Sequence, residues 1–277
     1  MYPRILQKFD NFLVKTINKY ANFRWYGSPL AKKPLASKDK YLKIWEKTKK
    51  KEYKLIDDFE QKTGFKIDLN WYHELALHTQ VSIKKSEILY VHGRLLYSAL
   101  REFINTSKIN NLNIIETGTA KGFSSLCMAK ALDDSKSGGK IITFDVYPHN
   151  HKMLWNSIDD HEGKKTRQEL LKPYQNLTEK YIWFHQGNTK TELPKLQTDR
   201  VHFAFFDSAH DYYYLMDEFL NIKEKQKKGD IIFFDDYTPK MFPGVVKAID
   251  EICEKYKYSK KIITISDARA YVIAKKL

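Results

Sequence analysis

Short apolar runs alternate with amphipathic stripes through the second half of the chain. Runs bounded by glycine or acidic residues are typical of strands that are buried on both faces of a sheet. Between them, apolar residues recur three and four positions apart, which indicates helices. The pattern predicts strands at residues 113–117, 140–145, 181–185, 202–207 and 229–235, and helices at 92–107, from 122 onward, and at 166–177, 212–222 and 243–256.

Two final apolar runs, residues 262–265 and 270–274, flank the segment S-D-A-R. This segment is too short to hold a crossover helix, so the last two strands must form an antiparallel hairpin. Alternating strands and helices predict an α/β fold with helices on both faces of the sheet. We therefore expect a doubly wound, mostly parallel, seven-stranded sheet that closes with an antiparallel hairpin.

The first ninety residues have a different, mainly helical pattern. Residues 1–25 carry an apolar helical stripe, which predicts packing on the same domain or on a second subunit, with a membrane surface as the alternative. Residues 27–38 contain Gly27, Pro29 and Pro34 and read as a linker. A charged helix at 40–63, a short helix or loop at 71–79 and an extended stretch at 81–85 complete a predicted helical extension over residues 1–90. Residues 91–277 form the predicted ligand-binding domain.

Composition narrows the class of protein. The chain has 277 residues, and 42% of them are hydrophobic, which is enough for a large core. The net charge is +14, but lysines occur in every segment, so we expect a solvated basic surface and no nucleic-acid site. The two cysteines form no C-x-x-C pair, which predicts a reduced, cytoplasmic setting without a zinc site. We also expect no transmembrane segment and no signal peptide.

A glycine-rich turn follows the first predicted strand, in the segment E-T-G-T-A-K-G at residues 116–122. Gly118 permits a tight turn, and Gly122, which opens the next helix, removes a side chain where ligand and backbone must approach. A strand, a glycine turn and a helix start bring backbone N–H groups close to an anionic or nucleoside ligand. The same layout occurs in α/β proteins that bind nothing there. Glu116 suits an ammonium or a structured loop better than a pyrophosphate.

Carboxylates stand at the ends of several predicted strands, where doubly wound sheets bind their ligands. Asp145 ends the second strand and can accept hydrogen bonds from both ribose hydroxyls of an adenosine. Asp207, Asp235 and Asp236 end two strands that we expect to be neighbours. Crowded carboxylates repel one another unless a cation or proton intervenes, and hard oxygen ligands favour Mg²⁺ or a similar ion. Helix capping and lysine salt bridges are the alternatives. His210, three residues after Asp207, can accept a proton from a substrate hydroxyl.

Together these motifs resemble those of class I S-adenosylmethionine-dependent methyltransferases, and most of all the small-molecule O-methyltransferases of the catechol and macrocin type. The resemblance covers about residues 90–277. E-T-G-T-A-K-G-F-S-S resembles the first motif of the family. F-D at 144–145 resembles the ribose-binding motif, F-F-D-S-A-H the strand-four motif, and G-D-I-I-F-F-D-D the strand-five motif. The closing hairpin also distinguishes this family from dinucleotide-binding sheets, which normally continue with crossovers.

The resemblance implies a role for each motif. The cofactor residues it implies are Glu116, Gly118, Thr119, Gly122 and Ser124 at the methionine end of S-adenosylmethionine, Asp145 at the ribose, and Asp207. Asp207, Asp235 and Asp236 would bind the divalent metal, where catechol-type members have Asp-Asn in place of the last two. Asp207 and His210 would be the catalytic residues, with His210 in the place of a lysine base. The implied reaction is methyl transfer to the hydroxyl of a small molecule or sugar.

The segment at 146–165 is longer than an ordinary strand-to-helix loop and is rich in aromatic residues and histidines. We expect it to shape the acceptor pocket with the N-terminal region, unless it is an inert surface insertion. Three other functions stay open. A nicotinamide-dependent oxidoreductase shares the glycine turn and Asp145, but it lacks the third glycine of G-x-G-x-x-G. An RNA-binding protein or RNA methyltransferase fits the charge, but no N-P-P-Y-like segment is present. A non-catalytic partner subunit would keep the fold without binding the cofactor.

Overall fold

The computed structural model describes residues 32–277, which form a seven-stranded sheet with helices on both faces. The spatial order of the strands is β3-β2-β1-β4-β5-β7-β6. Strands β1 to β5 are parallel, and β7 runs antiparallel between β5 and β6. The predicted α/β class, strand number and closing hairpin are confirmed. The strands are β1 (Leu112–Thr117), β2 (Gly139–Asp145), β3 (Ile182–Gln186), β4 (Phe203–Phe206), β5 (Ile231–Phe234), β6 (Tyr258–Ser266) and β7 (Arg269–Lys276).

Helices cover both faces of this sheet. Turns of 3-10 helix occur at Ile158–Glu162, Lys172–Tyr174, Leu193–Lys195 and Lys223–Lys225. The α-helices are α1 (Lys38–Lys49), α2 (Lys54–Thr63), α3 (Leu69–Thr79), α4 (His92–Ser107), α5 (Phe123–Asp134), α6 (Arg167–Leu170), α7 (Gln175–Tyr181), α8 (Thr189–Glu192), α9 (Tyr212–Ile222) and α10 (Pro243–Lys255).

Alternate side chains of the central strands enter two separate cores. Phe203 and Phe205 of β4 belong to the core that α2 to α5 and α7 complete, whereas Ala204 and Phe206 belong to the core beneath α9 and α10. All four side chains are buried. The period of two along a strand therefore explains why these runs are apolar throughout, since both faces are covered.

The predicted single helix at 40–63 is wrong, because the chain turns between α1 and α2. Arg94 of α4 is buried and pairs with Glu60 and Asp57, and this pairing holds α2 against α4. Trp45 of α1 instead donates a hydrogen bond to the carbonyl of His73 in α3, at 2.7 Å. No glycine or proline lies between α1 and α2, so no local residue type indicates the break.

Two other predicted elements also differ. The helix expected at 166–177 consists of α6, a 3-10 turn and α7, because Pro173 lacks an N–H and interrupts the α-helical hydrogen bonds. The stretch at 81–85 pairs with no strand; its backbone is held by the Asn156 side chain, which bonds both the N–H and the carbonyl of Ile83, at 2.9 and 3.0 Å. This contact ties it to the long segment that follows β2.

The described part of the N-terminal extension packs on the sheet domain. Ile56, Phe59 and Leu75 share one core with Leu96 and Leu126. The predicted amphipathic stripe at 1–25 lies outside the described residues. Within residues 32–277, no helix is long and apolar enough to cross a membrane. Cys127 and Cys253 lie on α5 and α10 and are buried and free.

Candidate active site

The loops after β1 and β4 meet at the carboxyl edge of the sheet. Gly118 has φ +91°, and a Cβ built on it would lie only 2.0 Å from the backbone oxygen of Asp207. Its N–H donates to the carbonyl of Phe144 at 2.9 Å. Only glycine fits both this backbone conformation and this contact. The glycine turn therefore brings the ends of β1, β2 and β4 together.

A cavity of about 530 Å³ opens beside this turn, between Asp145 and the loop after β4. The Asp145 carboxylate accepts hydrogen bonds from the backbone N–H groups of Ala120 and Tyr147, at 2.5 and 2.8 Å. Val146 and Tyr147 add an apolar and aromatic wall, and Asn188 and Tyr214 close the far side. A nucleoside suits these groups, with a carboxylate for its ribose and an apolar wall for its base.

Glu116 lies beneath the turn and lines neither this cavity nor its neighbour. It is fully buried and accepts hydrogen bonds from the hydroxyls of Ser124, Ser125 and Thr143. Burial raises the pKa of Glu116 to about 7, against the lowering effect of these three hydroxyls. The carboxylate thus fixes the start of α5 to β1 and β2, which is the structured-loop role considered for it.

Arg167 supports the Asp145 loop from behind. Its side chain is buried, Nε donates to the carbonyl of Ala120 at 2.9 Å, and Nη2 lies 3.7 Å from Asp145. Its Nη2 has no hydrogen-bond partner within the described residues. Arg167 follows the long segment after β2, so this segment is coupled to the Asp145 end of the cavity. No motif around Arg167 indicates this role.

A second cavity, of about 420 Å³, adjoins the first and contains an acidic cluster. One carboxylate oxygen each of Asp207 and Asp236 and one ring nitrogen of His210 lie within 4.8 Å of one another. His210 Nε2 is 2.8 Å from Asp236 Oδ2 and 3.7 Å from Asp207 Oδ1. His210 also stacks on Phe242, with ring centroids 4.6 Å apart. This arrangement offers two hard oxygen ligands and one nitrogen ligand to a cation.

Asp235 lies apart from this cluster and is paired with Arg269. Arg269 Nη1 donates to both oxygens of Asp235, at 3.0 and 3.2 Å, and to Asp236 Oδ1 at 2.8 Å. Of the three predicted metal ligands, the structure therefore groups Asp207 and Asp236, with His210, and directs Asp235 to Arg269. Arg269 stands in the S-D-A-R segment of the hairpin. Its position beside β5 follows only once β7 is known to pair with that strand.

Charge governs proton binding in this cluster. The carboxylates of Asp207 and Asp236 raise the pKa of His210 to about 10, so its ring is protonated at neutral pH in this arrangement. Burial, with Asp207 and Asp236 adding to it, raises the pKa of Asp235 to about 8 although Arg269 opposes the shift. His92, buried below the cavity, has its pKa lowered to about 3 by burial and stays neutral. A protonated ring cannot accept a proton, so His210 is no general base while both carboxylates face it in this way.

Of the remaining predicted residues, some line a cavity and one does not. Thr119 and Ser124 line the second cavity, on the side of the glycine turn. Thr119 also shares a hydrogen bond of 2.6 Å with Thr143. Gly122 lines neither cavity; its φ is +89°, and a Cβ there would lie 2.8 Å from Leu171. The positive φ and the nearby Leu171 side chain explain why glycine stands at the turn into α5.

The strand order and the two joined cavities define a class. Five parallel strands closed by an antiparallel β7 between β5 and β6, with carboxylates after β2, β4 and β5, make the class I methyltransferase fold. Residues 115–237 match the family model of a methyltransferase domain. This match and the shared fold confirm the resemblance to class I S-adenosylmethionine-dependent methyltransferases that the sequence predicts.

Solved structures share this fold at low sequence identity. The O-methyltransferase NovP is 19% identical, with a TM-score of 0.52 over 70% of this chain and 83% of its own. An O-methyltransferase from Bacillus cereus in complex with SAH is 14% identical, with a TM-score of 0.51 over 82% of this chain and 93% of its own. The O-methyltransferase TomG from Streptomyces achromogenes, in complex with SAM, is 15% identical, with a TM-score of 0.50 over 82% and 91%. No curated protein sequence matches the chain.

Proposed function

We propose that the protein transfers the methyl group of S-adenosylmethionine to a hydroxyl oxygen of a small molecule or sugar. The observation that carries this proposal is that the two cavities share Gly118, Ala120, Asp207 and His210. A donor in the first cavity and an acceptor in the second would meet at these residues. The O-methyltransferases with the same fold support oxygen as the acceptor atom.

The cofactor would occupy the first cavity with its ribose on Asp145. Its methionine part would pass Gly118 and turn toward Thr119 and Ser124, which line the second cavity. The sulfonium methyl is already activated, so the chain's task is to hold an acceptor oxygen in line with it. Alignment of two bound reactants can supply several kcal/mol of the barrier, on the order of 7 or more. The S–C bond breaks as the O–C bond forms, and S-adenosylhomocysteine leaves.

A divalent cation such as Mg²⁺ fits the donor set of the acidic cluster. Asp207 and Asp236 would hold it, and Asp235 would join them only if Arg269 moved away. Such a cation would lower the pKa of the acceptor hydroxyl when bound. With the two carboxylates engaged in this way, His210 would lose its ion pairs and take the hydroxyl proton. The buried, unpaired cysteines agree with a reduced, cytoplasmic setting for this reaction.

Transfer of labelled methyl groups tests the proposal. The full chain is incubated with methyl-labelled S-adenosylmethionine and separate sets of catechols, sugars and RNA, with Mg²⁺ or with EDTA, and the products are identified by mass spectrometry. We expect a methyl ether on a small hydroxyl acceptor, and a lower rate with EDTA. Methylation of RNA alone would contradict the proposed acceptor. An unchanged rate in EDTA would contradict a role for a divalent cation in the reaction.

The predicted division into an N-terminal cap and a methyltransferase domain, and association through the N-terminal helices, also stay proposals. Light scattering of the full chain beside a chain that starts at residue 32 tests the second. A dimer that persists without residues 1–31 would contradict it.

A further inference from the structure

The segment between α3 and α4 forms one wall of the second cavity. Gln80, Lys84, Ser86 and Leu89 face this cavity opposite the acidic cluster. Sequence reasoning gave the segment only as an extended stretch. Its position is fixed from two sides: Lys121 of the glycine turn donates to the Ser82 hydroxyl at 2.7 Å, and Asn156 holds the backbone of Ile83. The wall is therefore anchored to the glycine turn and to the segment after β2.

The charged side chains of this cavity are paired, with one exception. His210 and Arg269 are bound to the carboxylates of the acidic cluster, and Glu87 is bound to Lys51. Among the charged residues that line the cavity, Lys84 alone has no ion pair or hydrogen bond within residues 32–277. Burial and then the charge of Arg269 lower the pKa of Lys84, and the carboxylates of Asp207, Asp235 and Asp236 oppose this shift. The Lys84 ammonium therefore lies within electrostatic reach of these carboxylates. Lys84 is exposed to solvent, like Lys85, but of the two only Lys84 lines the second cavity.

We propose that Lys84 binds an anionic group, a carboxylate or phosphate, of the methyl acceptor. This inference rests on the proposed function and names its substrate class: a hydroxyl compound that carries a negative charge on the side away from the reacting oxygen. The unpaired ammonium of Lys84 can bind such a charge. Because the backbone beside Lys84 is already held in place, binding requires little further ordering of this segment. Gln80 and Ser86 supply neutral hydrogen-bonding groups beside it.

Matched ligand pairs separate this role from a structural one. The enzyme, loaded with S-adenosylhomocysteine, is titrated by calorimetry with 3,4-dihydroxybenzoate and with its methyl ester, and then with glucose 1-phosphate and with methyl glucoside. We expect the anionic member of at least one pair to bind more tightly by about tenfold to a hundredfold, the range for a hydrogen bond to a charged group. Preference in the first pair identifies a carboxylate, and preference in the second identifies a phosphate.

Three variants complete the test. Lys84→Met should remove the preference, Lys84→Arg should keep most of it, and Lys85→Met, at the neighbouring exposed lysine that lines neither cavity, should leave it unchanged. Equal affinity of the wild type for both members of each pair, including no binding of either, would overturn the inference, as would an unchanged preference in Lys84→Met.

Methyl transfer to the same compounds is recorded in parallel. Methyl transfer to a hydroxyl without any charge preference would contradict this inference but would still support the proposed function. A charge preference that depends on Lys84, with no transfer to any hydroxyl, would support the anion site and count against the proposed reaction.

Discussion

Substitution of Glu218 on α9 tests how the walls of the first cavity are held together. Glu218 is buried, and its carboxylate accepts hydrogen bonds from Thr189 and Ser208 on Oε1, at 2.8 and 2.5 Å, and from Thr117 on Oε2, at 3.0 Å. Thr189 and Ser208 line the first cavity. One carboxylate therefore joins β1, α8 and the loop after β4.

The size of the effect follows from these three bonds. Glu218→Leu removes every acceptor and leaves three hydroxyls short of a partner, at about 1 kcal/mol or more each, so we expect a loss of about 3 kcal/mol in the free energy of unfolding. Glu218→Gln can keep its oxygen toward Thr189 and Ser208 and turn its amide toward Thr117, so it should cost less than about 1 kcal/mol. S-adenosylmethionine affinity should fall in the first variant and persist in the second.

The pH dependence separates the two variants further. Burial raises the pKa of Glu218 to about 7. The folded chain thus holds this proton more tightly than the unfolded chain, so the stabilisation is complete below the unfolded pKa of about 4.5 and is lost as pH rises through 7. At 1.36 kcal/mol per pKa unit, the wild type should lose up to about 3 kcal/mol from this group by pH 8. Glu116 contributes a fall of its own, so the difference between wild type and Glu218→Gln is the quantity to compare.

Urea unfolding followed by circular dichroism at pH 5, 6.5 and 8 measures both effects. The curve for Glu218→Gln should be flatter with pH than that of the wild type. The stabilising role of the three hydrogen bonds to Glu218 is contradicted if Glu218→Leu and wild type unfold at the same urea concentration, or if the glutamine variant is as unstable as the leucine variant. An equal pH slope in wild type and Glu218→Gln would show that Glu218 is ionised in the folded chain at every pH tested.

Three further substitutions probe the edge of the sheet. Gly118→Ala should abolish cofactor binding in calorimetry, because its Cβ would meet the Asp207 backbone oxygen; Gly163→Ala, at a positive-φ glycine with open space around it, is the control, and equal losses would contradict the contact argument. Arg269→Met should destabilise the chain by roughly 2 kcal/mol by leaving Asp235 unpaired, and MgCl₂ should raise its melting temperature more than that of wild type; no difference in the Mg²⁺ response would argue against a cation at the cluster. His210→Ala should slow methyl transfer at least about tenfold with unchanged cofactor affinity, and unchanged turnover would move the base elsewhere.

The pattern of apolar runs predicts the central strands because β1, β2, β4 and β5 are covered on both faces and are therefore apolar along most of their length. The helix boundaries near Pro173 and in the segment after α1 were missed for different reasons. Pro173 is a local signal that periodicity alone does not weigh. The turn between α1 and α2 is set by Arg94, more than thirty residues away from its partners, and no local pattern contains that contact.

The site was predictable where strand ends decide it and unpredictable where side-chain direction decides it. Asp145, Asp207 and His210 follow strands, and the sheet brings them to one edge. Asp235 and Asp236 are adjacent in the chain, but Asp236 has φ +57°, and their carboxylates make different contacts. Arg269 and Lys84 reach the cavity from the hairpin and from the segment before α4, at distances in sequence that a motif does not span.

Calorimetric titration of the full chain with S-adenosylmethionine and with NAD, in wild type and in Asp145→Ala, tests the central claim most directly. We expect micromolar binding of S-adenosylmethionine, no heat with NAD, and at least about tenfold weaker binding in Asp145→Ala, whose melting temperature should stay near that of wild type. NAD binding in place of S-adenosylmethionine, or equal affinity in the variant, would contradict the placement of the cofactor on which the proposed methyl transfer depends.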